Sequence, residues 1–191
     1  MVVEGGLDEL GQGGGRRRQG DGDGWLAGLE PLQRFLLATD GTVTPALAAY
    51  LGEPIGVRVL GQEQATLIRP DDHLRLAVGR PILERRVVLY GVESGTAVLY
   101  ADSRVAVDRL GSPVRADLLS GELPIGLVLR RHRMETFRES LGAGRRPAVG
   151  EAAAHLGSCD VCWRTYAIIT GGFPLIVVHE EFPVAPASRV A

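Results

Sequence analysis

At 191 residues, 45% of them hydrophobic and 23% charged, the chain is long enough to bury one sizeable core and hardly long enough for two, so a single domain is expected. A formal charge of −2 excludes the basic excess that wholesale nucleic-acid binding requires. All 21 basic residues are arginine, which excludes Schiff-base lysine chemistry and a lysine-dependent phosphate loop, and leaves guanidinium or backbone N–H to bind any anion.

Residues 1–24 carry the low-complexity signal: Gly11-Gln-Gly-Gly-Gly15, Arg16-Arg-Arg18 and Gly20-Asp-Gly-Asp-Gly24. They lack the apolar side chains that offset ordering entropy, so the segment reads as a disordered tail and residues 25–191 as the folded domain. Nothing near Met1 resembles a signal peptide, and two cysteines supply no disulfide framework, so a cytoplasmic protein is expected. The longest uncharged run, Thr165 to Val178, is too short to span a bilayer and is interrupted by Gly171, Gly172 and Pro174.

Along the domain, Leu26, Leu29, Leu32, Phe35 and Leu36 follow helical spacing from Trp25 to Ala38, with Pro31 placed to break or delay the helix. Thr44-Pro45 reads as an N-cap followed by proline at the first helical position, opening a short helix that Gly52 closes. Ile55, Val57 and Val59 alternate as in a half-buried strand. Stronger strands are expected over Ile82 to Tyr90 and Thr96 to Ala101, turning at Glu93-Ser94-Gly95, with Val105 to Val107 continuing. Ser112-Pro113 repeats the cap-plus-proline signal before a helix ending near Gly121, and Arg133 to Glu139 fits either strand or helix. Trp163 to Thr170 and Pro174 to Phe182 flank Gly171-Gly172, a hairpin turn that needs positive φ. Hairpins without βαβ units predict the α+β class: a single antiparallel β-sheet flanked by helices.

Two strands place a charge on an otherwise apolar face: Arg85 beside Leu83, Val87 and Leu89, and Glu180 beside Ile176 and Val178. A buried isolated charge costs several kcal/mol or more, so each needs a partner. Either the two pair with each other or one strand end is wet, or they line a pocket in which Arg85 grips a carboxylate and Glu180 handles a hydroxyl or a proton. Pattern alone leaves these alternatives open.

Around these charges runs an ordered series of short motifs. They are Asp40-Gly-Thr-Val-Thr44, Arg85-Arg-Val-Val-Leu89, Asp108-Arg-Leu110, Leu123-Pro-Ile-Gly126, Glu135-Thr-Phe-Arg-Glu139, Arg164-x-Tyr166 with Gly171-Gly-Phe-Pro174, and Glu180-Glu-Phe182. In order and spacing, over roughly Leu32 to Phe182, the chain resembles the chorismate lyases, in particular their two-glycine bacterial branch. The resemblance implies a cofactor-free and metal-free lyase that converts chorismate to 4-hydroxybenzoate and pyruvate, with its ligand buried under helical flaps. It also implies site residues. Arg85 matches the arginine that holds the ring carboxylate, and Glu180 the carboxylate facing the 4-hydroxyl, as a base or as an orienting group. Ile125, followed by Gly126, matches a backbone N–H that meets the ring carboxylate, and Val43 a flap residue that is methionine in the ubiquinone-pathway enzyme. Arg164 aligns with a family arginine just before the final hairpin, and we expect it to serve the enolpyruvyl carboxylate.

Other signals weigh less. Cys159-Asp-Val-Cys162 has the spacing of a zinc or redox pair but lacks a second ligand pair, and His179 points, by strand alternation, to the sheet face opposite Glu180. Glu135-Thr-Phe-Arg-Glu139 fits a solvated edge strand and receives no catalytic role, and Asp108-Arg109 reads as a structural turn pair. The expected partner is a small molecule, chorismate, with no nucleic acid and no membrane; the sequence is silent on oligomeric state. The competing readings are a non-catalytic, aromatic-acid-binding sensor domain of the same fold and a lyase acting on an amino- or isomeric chorismate.

Overall fold

The computed structural model describes residues 26 and 28–184, so the expected tail at 1–24 lies outside the described residues. Helices α1 (Pro31–Ala38) and α2 (Val43–Leu51) precede three strands, β1 (Ile55–Thr66), β2 (Pro81–Gly91) and β3 (Ala97–Val105). A 3-10 turn, then α3 (Ser112–Ser120) and α4 (Ile125–Arg131), lead into β4 (Phe137–Pro147), α5 (Gly150–Leu156), β5 (Asp160–Thr170) and β6 (Phe173–Pro183). All six strands form one antiparallel sheet in the order β1-β2-β3-β6-β5-β4. It is two three-stranded meanders, β1-β2-β3 and β4-β5-β6, joined where β3 pairs with β6. The expected α+β class with one antiparallel sheet is the observed one.

Local chemistry explains the boundaries. Pro31 occupies the first turn of α1, where a missing N–H costs nothing, so it starts the helix instead of breaking it. In α2 the cap is Thr42, two residues earlier than the Thr44 expected; Pro45 sits at the third helical position, still within the turn that lacks internal acceptors. Gly52 and Gly121 end α2 and α3 in the left-handed conformation. The hairpin between β5 and β6 turns on Gly171 and Gly172, at φ 54° and 81°. Central strand β6 is buried on both faces, which is why it reads as a nearly continuous apolar run, whereas edge strand β4 alternates between exposed and half-buried positions. The chain resolves Arg133 to Glu139 as a turn leading into β4, and β3 stops at Val105, short of the expected Val107. Asp108 pairs with Arg80 at 2.8 Å, while Arg109 donates to the Leu74 carbonyl at 2.7 Å, so the two residues of the turn serve different neighbours.

Helices α1 to α4 cover one sheet face. The α3 and α4 residues Val114, Leu118, Val128 and Leu129 pack with Leu83, Val105, Ile176 and Ile168, and the α1 and α2 residues Leu36, Val43 and Leu47 pack with Leu89, Leu99 and Phe182. The opposite face is closed by the β1–β2 connection, through Leu74 and Leu76, and by α5. The site lies on the four-helix face, in the gap between the two packed clusters.

Candidate active site

Strand register puts the polar side chains of that face in adjacent rows. Arg85, Ser103, Val178 and Tyr166 align across β2, β3, β6 and β5; the next row is Val87, Ala101, Glu180 and Arg164; Arg138 of β4 lies in the row of Ile168 and Ile176. These rows floor a cavity with ≈ 550 Å³ of empty space, counted to its mouth. Thr42, Val43 and Thr44 from the start of α2, and Pro124, Ile125 and Gly126 from the start of α4, form its roof. The structure therefore brings Arg85, Glu180, Val43, Ile125 and Gly126 to one cavity.

Arg85 and Glu180 do not pair with each other. The Arg85 side chain, 1% exposed, donates through Nη2 to the carbonyls of Leu123 at 2.9 Å and Gly121 at 3.2 Å, in the segment between α3 and α4. Among the described residues it has no carboxylate partner, and its buried Nε–H is unpartnered. Burial alone pushes its pKa down to about 10. A buried cation held only by carbonyl dipoles is costly in the empty protein and has donors left for an anion.

Glu180 is the reverse case, a buried carboxylate fully attended. Arg164 Nε, directly across the β5–β6 register, donates to Glu180 Oε2 at 2.7 Å, and the Tyr166 hydroxyl donates to Oε1 at 3.0 Å. Arg164 Nη1 also donates to the Thr39 carbonyl at 2.7 Å, which ties this pair to the α1–α2 connection. Arg164 thus reaches the site through Glu180; it is not among the cavity-lining residues. The Tyr166 pKa is raised by burial and by the Glu180 charge, so the phenol keeps its proton and its donor role.

Ile125 and Gly126 are the first two residues of α4, and their N–H groups have no acceptor within the helix. Gly126 is required by packing: a Cβ there would lie 2.6 Å from Thr42 Cγ2. Contact between the two roof helices therefore depends on a missing side chain.

Tyr166 and Arg138, to which the sequence analysis assigns no role, also line the cavity. Tyr166 was visible as the second member of Arg164-x-Tyr166, two positions on and therefore on the same strand face. Arg138 sat in a segment with no settled secondary structure. Its guanidinium carbon lies 5.5 Å from the Tyr166 ring centroid, with Arg164 at 4.8 Å from the same centroid, and Arg138 Nη1 donates to the Asp40 carbonyl.

His179 lies on the other sheet face, as strand alternation requires, with Nδ1 at 2.8 Å from Thr165 Oγ1 and Nε2 at 3.3 Å from Glu181 Oε1. Cys162 is buried beside Phe182 in the core and Cys159 is half-buried; both are free thiols. Neither belongs to the cavity. No helix among the described residues is long and apolar enough to cross a membrane.

Comparison with known proteins places the chain in a family. Residues 37–189 match the family described as Rv2949c-like chorismate pyruvate-lyase. The chorismate pyruvate-lyase of Mycobacterium leprae is 30% identical over 165 residues, covering 78% of this chain and 72% of that protein; that of Mycobacterium tuberculosis is 29% identical over 156 residues, covering 78% of each. Among solved structures, PhnF from Mycobacterium smegmatis superposes with a TM-score of 0.60 at 16% identity, covering 79% of this chain and 71% of that one, and its effector domain with 0.58 at 17%, covering 75% and 88%. At that identity the likeness shows the fold alone. The chain belongs to the Rv2949c-like chorismate pyruvate-lyase family, and so to the lyases.

Proposed function

We propose that the protein cleaves chorismate to 4-hydroxybenzoate and pyruvate without a cofactor. The observation that carries this reading is Arg85: a buried guanidinium with no carboxylate partner among the described residues, in a cavity that also holds the fixed carboxylate of Glu180. An aromatic-acid precursor supplies the missing anion at one end and a hydroxyl at the other.

In this mechanism Arg85 and the Ile125 N–H hold the ring carboxylate, with Gly126 allowing the roof to close over it. Glu180, with one hydrogen bond already accepted on each oxygen, takes the 4-hydroxyl proton as a hydrogen bond and orients C4. The C4–H bond breaks and its electron pair becomes the third ring double bond as the C3–O bond breaks. The enolpyruvyl fragment departs with the C3–O electron pair and takes up at its methylene carbon the proton released from C4, which makes it pyruvate. Aromatisation drives the step, so the protein's contribution is positioning, exclusion of water by Val43 and the α2 and α4 roof, and stabilisation of the departing charge. The two held oxygens favour an orienting role for Glu180, and Arg164 holds that carboxylate in place.

The test is incubation of purified protein with chorismate in the presence of a metal chelator, following pyruvate by a coupled assay and the aromatic product by chromatography. Equimolar pyruvate and 4-hydroxybenzoate are expected. Tight binding of chorismate without turnover would replace the lyase reading with a sensor-like one, and pyruvate with a different aromatic product would redirect it to a related chorismate-type substrate.

A further inference from the structure

The charges around the cavity do not cancel. Glu180 is matched by Arg164, which leaves two guanidinium groups on the cavity wall without a carboxylate among the described residues, Arg85 at the β2–β3 side and Arg138 at the β4–β5 side. Tyr166 lies between Arg138 and Arg164, so the second cation is set off from the Glu180 pair by an aromatic ring. Arg138 donates one Nη1 hydrogen bond, to the Asp40 carbonyl in the α1–α2 connection, and its Nε–H is buried and unpartnered. Its remaining donors form an open fork of the kind that takes a carboxylate in two hydrogen bonds.

We propose that Arg138 is the binding residue for the second, enolpyruvyl carboxylate, and that it makes the cavity selective for a dicarboxylate over an aromatic monocarboxylate. This rests on the chorismate reading and deepens it. Two uncompensated cations on opposite sides of one cavity match a dianion whose carboxylates sit at opposite ends, whereas 4-hydroxybenzoate, with a single carboxylate, satisfies only Arg85. Arg164 also keeps a buried Nη2 without a hydrogen-bond partner, but it does not line the cavity, and its Nε is committed to Glu180 and its Nη1 to the Thr39 carbonyl.

The experiment compares wild type, Arg138→Gln and Arg138→Lys for chorismate turnover and, separately, for binding of 4-hydroxybenzoate by calorimetry, with circular dichroism to verify the fold. Loss of the charge-assisted hydrogen bonds is expected to raise the KM for chorismate about ten- to hundredfold in Arg138→Gln. The affinity for 4-hydroxybenzoate is expected to stay within about twofold of wild type because that ligand makes no contact with Arg138. Arg138→Lys, which keeps the charge but not the fork, is expected to fall between the two. An unchanged KM in Arg138→Gln, or a parallel loss of chorismate and 4-hydroxybenzoate binding, would overturn the proposal while leaving the lyase reading intact. No turnover in the wild type would overturn that reading and this proposal with it.

Discussion

Arg164 and Glu180 face each other directly across two central antiparallel strands and meet at 2.7 Å, both almost fully buried. Removing one member leaves the other as an uncompensated buried charge. Glu180→Gln is therefore expected to abolish most turnover and to lower stability by about 3 kcal/mol. Glu180→Gln combined with Arg164→Met should recover the stability but not the activity. Denaturant melts on the two variants check this, and a double variant as unstable as the single one would count against the pair as the source of the loss.

Arg85 predicts the opposite pattern. Burial penalises its guanidinium relative to water and lowers its pKa to about 10, although the group stays charged at neutral pH. For a depressed group the corresponding stability is present above the unfolded value and lost as pH falls through about 10, so the cost is present throughout the neutral range. Arg85→Met is expected to raise stability at neutral pH, by on the order of 2 kcal/mol, while eliminating turnover. Thermal denaturation and the chorismate assay together decide it; a less stable Arg85→Met would show that the Gly121 and Leu123 carbonyls compensate the charge without a ligand.

The roof makes a steric prediction. A methyl group at position 126 would meet Thr42 Cγ2 at 2.6 Å, forcing α2 and α4 apart. Gly126→Ala should cost about 1–3 kcal/mol and raise KM as the cavity opens. Adding Thr42→Ala removes the clashing atoms and should restore both, as measured by thermal shift and steady-state kinetics.

On the opposite sheet face, Asp102 supplies a pH prediction independent of the site. Burial, reinforced by Glu84, raises its carboxyl from 3.8 to about 6, against the lowering influence of His179, Arg104 and Arg86. A raised acid favours folding in its protonated form, so the contribution is complete below its unfolded value and is lost as pH rises through about 6. Asp102→Asn should stabilise the protein by on the order of 2 kcal/mol at pH 7.5 and hardly at all at pH 4. Urea denaturation at the two pH values tests this; an equal gain at both would assign the effect to packing.

Much of this architecture was legible because period-two alternation and paired glycines are local signals. Arg85 and Glu180 were legible as charges on apolar faces, but their partners were not. Pairing across β2-β3-β6-β5 is a property of register, so the choice between an Arg85–Glu180 bridge and a pocket needed three dimensions. Helix α4 (Ile125–Arg131) carries no expectation from sequence: seven residues are too few for a periodic pattern, and the glycine that weakens its helical propensity is there to admit Thr42. Short α5 (Gly150–Leu156) carries too few residues for a periodic pattern. Arg138 was hidden by β4 itself: alternating charge looks like a solvated edge, and the irregular register between Ser140 and Gly142 obscures which side chains turn inward.

The seam between the two meanders sets the order in which the molecule can assemble. Each three-stranded unit closes through hairpins between neighbours in sequence, whereas pairing Ala101 with Glu180 joins positions far apart in the chain and must meet a larger loop-closure entropy. Arg85 comes from one unit and Glu180 from the other. Catalytic competence therefore arrives only with this slow, non-local pairing, and until then β3 and β6 present unpaired apolar edges to any other unfolded chain.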